Sequence, residues 1–92
     1  MIRAENLKLI SGVFSVEEAS NVLFGLIQNK INFHNLEIAH IEETGQGNVA
    51  KSEQRLKELR ILEKEIQNII EEAKHEKADL KIESIININM IK

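Results

Sequence analysis

The sequence has no cysteine, proline, tryptophan or tyrosine, and only three phenylalanines and four glycines in 92 residues. Without cysteine there are no disulfides, no thiolate metal ligands and no cysteine nucleophile, and the redox compartment is left open. Without proline nothing forces a helix to break, so helix ends must be read from capping residues and glycine. With so few aromatic rings, the core has to be assembled from Ile, Leu and Val. Charge of one sign is also missing. Twelve Lys and Arg stand against fifteen Asp and Glu, a formal charge of -3, and the basic residues alternate with acidic ones as on a solvated helix face. That balance leaves no electrostatic footprint for nucleic acid. No apolar run approaches the roughly 18 residues of a membrane span, and MIRAENLKLISG lacks the blocks of a secretory signal. The expectation is a cytoplasmic chain, placed there by elimination, with neither nucleic acid nor membrane as partner.

What is present is 42% hydrophobic and 29% charged, the balance of a globular chain. The length suits one domain over residues 1–92. A chain this short buries only about 60–65% of its unfolded surface, so its stability margin is thin without a partner subunit.

Leu7–Phe14 (LKLISGVF) is apolar-rich and predicts a strand, with Leu7, Leu9 and Val13 on one face and Ile10 and Phe14 on the other. Ser15-Val16-Glu17-Glu18 then forms a capping box, and both glutamates suit the positive end of a helix dipole. At about 100° per residue, Val16, Ser20, Leu23, Ile27, Ile31, His34, Ile38 and Ile41 share a narrow stripe, predicting one helix from Ser15 to about Glu43. An alternative fold ends that helix near Lys30 and makes Leu36–Glu42 a strand, giving a β-α-β-α-β sandwich. Thr44-Gly45-Gln46-Gly47-Asn48 is the clearest break. A second helix follows to about Lys77, with Leu56, Leu59, Leu62, Ile66, Ile69, Ile70 and Ala73 as its stripe. Leu80–Ile91 alternates apolar with polar residues and predicts the second strand. Two helices of about 40 Å, joined by so short a break, form an antiparallel hairpin and bring the strands together. The expected fold is α+β, in the order β-α-α-β, with a short two-stranded sheet.

Several patterns resemble functional sites. Glu37-Ile-Ala-His40 and Glu72-Ala-Lys-His75 have the spacing of di-iron ligands on bundle helices, but the helical phase turns them away from the apolar stripes. No metal and no cofactor are expected. His34 lies within the stripe of the first helix, where a histidine held neutral by one hydrogen bond is the simplest expectation. No nucleophile is recognisably arranged beside it, so no catalytic residues are assigned. Gly45-Gln46-Gly47 before a helix resembles an anion loop, yet lacks the glycine pattern and the Lys-Ser/Thr pair of a P-loop.

Helix one departs from a simple amphipathic pattern. Val22 and Leu26 lie about 100–140° from its stripe, so it has a second apolar face. Ile86 and Ile88 on the second strand, with unpaired strand edges, give another adhesive surface. These four residues are the expected interface. The function they predict is a non-enzymatic, homo-oligomeric protein-interaction module, a homodimer in its simplest form. The alternative is a small-ligand or enzymatic site at the helix–sheet junction around Ser11, Gly12 and His34.

Overall fold

The computed structural model describes residues 3–92, arranged as β1 (Arg3–Phe14), α1 (Val16–Thr44), α2 (Val49–Glu76) and β2 (Leu80–Met90). The fold is the expected α+β one: two long helices form an antiparallel hairpin, and the flanking strands pair antiparallel in a two-stranded ribbon. The sandwich alternative is not formed, because residues 36–42 continue α1 through to Thr44.

Local chemistry fixes each helix end. The Glu18 N–H donates to Ser15 Oγ at 3.1 Å and the Ser15 N–H donates to Glu18 Oε1 at 3.0 Å, closing the capping box. The Ser15 backbone N–H, and then its hydroxyl, hold the Glu18 carboxyl below its ordinary range. α1 ends at Gly45, whose N–H still reaches the Ile41 carbonyl at 2.8 Å while its φ of 70° turns the following chain out of the helix. Asn48 caps α2 by accepting the Ala50 N–H at 2.9 Å.

The end of α2 is a Schellman turn built on the wrong residue type. The Lys77 N–H donates to the Lys74 carbonyl at 3.3 Å and the Ala78 N–H to the Ala73 carbonyl at 2.9 Å, with Lys77 itself at φ 55°. A side chain in that left-handed conformation costs about 1–2 kcal/mol, a strain glycine removes, and the larger unfolded-state entropy of glycine takes back part of that gain. Lys77→Gly is therefore expected to stabilise the fold by about 0.5–1 kcal/mol, read as a rise of a few degrees in Tm. An unchanged or lower Tm would show that Lys77 contributes contacts glycine cannot replace.

The helices are joined by Ile27 and Ile31 of α1 against Leu56 and Leu59 of α2, with Phe24, Ile38 and Ile66 packed around them. Ala19, Ile70 and Ala73 extend the buried seam toward the open end of the hairpin. Small residues there let the helices and the base of the ribbon approach closely.

The ribbon pairs Arg3 with Met90 at its tip and Phe14 with Leu80 at its base. Its register slips between Lys8 and Ile10, so Leu9 has no partner of its own. This bulge corrects the predicted faces of β1. A residue inserted into one strand reverses its alternation, and directly paired residues share a face. Leu7, opposite Ile86, therefore joins Ile10, Gly12 and Phe14 on the same side, while Val13 remains on the other with Lys81. One face of the ribbon now collects Phe14, Ile10, Leu7, Leu80, Ile82, Ile86, Ile88 and Met90. β1 also begins four residues before the predicted start, and β2 stops one residue before the predicted end.

The whole is long and thin, 50 × 33 × 15 Å, with a radius of gyration of 16.6 Å. A compact chain of this length has a radius near 12 Å.

Candidate protein-interaction face

Helical phase separates the two broad sides of the hairpin. Measured from Ile27 at about 100° per residue, Leu26, Phe33 and Val22 lie about 100–140° round α1 in one sense. Measured from Leu59, Leu62 and Ile69 lie about 60–80° round α2 in the same sense. In an antiparallel pair those senses point to the same broad side. The ribbon is on that side too: the hollow at its base is lined by Leu23 of α1, Ile66, Ile69 and Ile70 of α2, and Leu80, Lys81, Ile82 and Glu83 of β2. The opposite side carries Gln28, Asn32, Asn35, Gln67, Glu71 and Lys74, and there Gln28 donates to Asn32 at 3.0 Å. A groove on that side near the open end is likewise lined by Glu17, Ser20, Asn21, Gln67, Glu71 and Lys74 along with apolar residues.

The ribbon side is thus the more apolar one, although Lys30, Glu58 and Glu65 share its helical phase, and much of its apolar surface is uncovered. Leu26 is 38% exposed, Leu62 43%, and Ile69 and Phe33 more than half. Val22 is half-buried beside them. On the ribbon, the inner residues Ile10, Phe14, Leu80 and Ile82 are half-buried, Leu80 and Ile82 beside the hairpin, whereas Leu7 is 50% exposed, Ile88 52%, and Ile86 and Met90 are also open. Leu26 is thus exposed on the hairpin with Phe33, Leu62 and Ile69, with Val22 half-buried beside them, while Ile86 and Ile88 are exposed on the apolar face of the ribbon. Leu62 and Ile69 were expected in the interhelical stripe. Centring the wheel on Leu59 rather than Ile66 separates them from it, and that shift was available in the sequence. Lys30 places its Nζ 5.4 Å from the centre of the Phe33 ring, covering part of it with a cation.

His34 lies elsewhere. About 27 Å of helix separate it from the start of α1, and it turns toward the closed end of the hairpin. Its Nδ1 donates to Glu37 Oε1 at 2.7 Å, and the buried Ser52 hydroxyl donates to the same oxygen at 3.3 Å. Serine, histidine and glutamate meet here, but both of the others converge on the carboxylate. The Ser52 hydroxyl therefore has no imidazole base to activate it, which a nucleophile requires. The expected grouping of Ser11, Gly12 and His34 at the helix–sheet junction is not formed. Glu37 also departs from expectation: it faces His34 and Ser52 instead of pointing outward with His40, which is exposed, as are Glu72 and His75. Among the described residues no three His, Cys, Asp or Glu side chains are grouped to hold a metal ion. No described helix is long and apolar enough to cross a membrane.

Comparison with known proteins finds no matching family model and no similar curated protein or solved structure.

Proposed function

We propose that this chain is a non-enzymatic, self-associating protein-interaction module whose basic unit is a homodimer formed through the ribbon-side face. The observation that carries this is surface area. The chain exposes 7360 Å² at a mass of 10.5 kDa, where a compact monomer of that mass exposes about 5,400 Å². The excess, about 2,000 Å² per chain, exceeds the roughly 800 Å² per partner of a standard interface and falls in the range of obligate ones. Leu26, Phe33, Leu62 and Ile69 are among the large apolar side chains exposed within it, gathered on the ribbon side of the hairpin. A patch of that kind marks an interaction surface, and a second copy brings an identical face that satisfies both chains at once.

The test is the solution mass by light scattering, together with the dependence of the melting midpoint on concentration. A mass of twice 10.5 kDa and a midpoint that rises with protein concentration are expected. A monomeric mass with a fixed midpoint would overturn the proposal.

A further inference from the structure

Resting on that proposed self-association, we propose that the two copies cross arms: the outer half of each ribbon lies over the partner's hairpin and seats Leu7, Ile86 and Ile88 against the partner's Leu26 and the partner's Leu62.

The ribbon itself shows the mode of contact. Its apolar face carries Leu80, Ile82, Ile86, Ile88 and Met90, interrupted on β2 by Ser84, yet only the inner part, at Leu80 and Ile82, meets the ribbon side of its own hairpin at Leu23, Ile66 and Ile69. The outer part carries the same chemistry and has no such cover. The hairpin shows the reciprocal deficit. Leu62 and Phe33 lie about 21 and 26 Å along their helices from the open end, beyond the inner half of the ribbon. The outer half, Ile85–Met90, is about 20 Å long at 3.3 Å per residue, a length that matches the uncovered part of a hairpin.

Area decides between this arrangement and its rival. Ribbon stacked on ribbon would cover Ile86 and Ile88 but leave Leu26, Leu62 and Phe33 open on both copies. Crossing covers both deficits in both chains. It brings no lone charge from the ribbon into the contact, and on the hairpin the charges flanking Leu26 and Leu62 are Lys30 and Glu65, of opposite sign. At the tip, Arg3 Nη2 and Glu5 Oε1 are already paired at 2.8 Å on the same face.

The absence of cysteine makes the test clean. Leu26→Cys and Ile88→Cys chains, one of them lengthened by a tag, are refolded together from denaturant and oxidised. The cross-linked product is read by mass beside each variant treated alone. Crossed arms give a mixed covalent dimer about tenfold in excess of the Ile88→Cys homodimer, since sulfurs bridge only when their Cα atoms lie within about 7 Å. Leu62→Cys with Ile86→Cys probes the same contact at a second point and guards against one pair being slightly out of reach. If the mass is dimeric but Ile88→Cys alone cross-links as well as the mixture, or neither mixed pair cross-links, crossed arms are wrong while self-association stands. A monomeric mass removes both.

Discussion

Leu59→Ala is expected to lower the melting midpoint by about 10 °C or more. Leu59 is buried at the centre of the hairpin against Ile27 and Ile31, and truncating such a leucine costs about 2–5 kcal/mol in lost burial and residual cavity. For a chain this size each kcal/mol shifts the midpoint by about 4–8 °C. The hairpin has one seam and few fully covered side chains, so little else can compensate. Ile61→Ala, on the exposed side of α2 among Lys57, Arg60 and Lys64, is the control and should change stability by less than about 0.5 kcal/mol. Thermal melts followed by far-ultraviolet circular dichroism measure both. Equal effects at the two positions would place the core on the wrong side of α2.

Leu26→Lys is expected to weaken self-association by about tenfold or more without loss of helix. Leu26 is 38% exposed, so covering that open part contributes about 0.6–1.1 kcal/mol per copy and about 1–2 kcal/mol across a two-fold contact, and the added ammonium must be desolvated as well. Leu23 and Ile27, which face the hairpin and the ribbon base, are untouched, so the helical signal should persist. Sedimentation across a concentration series gives the dissociation constant. An unchanged constant in the variant would remove the ribbon-side face from the interface.

The parts of this fold that were legible in the sequence are those fixed by local chemistry. Ser15 and Glu18 announce the start of α1, Gly45 and Gly47 its end, and the phase of Ile27, Ile31 and Ile38 carries the helix through the stretch where a strand was conceivable. Val22 and Leu26 stood out because charge is expected where they occur. What was not legible depends on the partner strand. Arg3-Ala-Glu-Asn reads as polar and irregular, and becomes strand only because Asn87–Met90 lies opposite. The bulge at Leu9 is likewise set by pairing. It alone moves Leu7 onto the face of Ile86, and no pattern within β1 announces it. The turn of Glu37 toward His34 and Ser52 is similarly tertiary, since Ser52 belongs to the other helix.

The ribbon joins positions that are nearly a full chain length apart, Arg3 with Met90, whereas the hairpin joins neighbours across one tight turn. Closing a long loop has to be offset by contacts formed at its ends, and distant pairings form slowly compared with local ones. The order of assembly follows. The helices zip from Gly45–Asn48 toward Ser15 and Glu76, and that zipping shortens the loop the strands must close. Pairing then starts at Phe14 and Leu80 and travels outward. Leu7, Ile86 and Ile88 are therefore the last to be ordered and the first to fray, so the proposed interaction surface is completed only after the body that carries it. A half-folded chain can bury its own seam before the ribbon's share of that surface is in place.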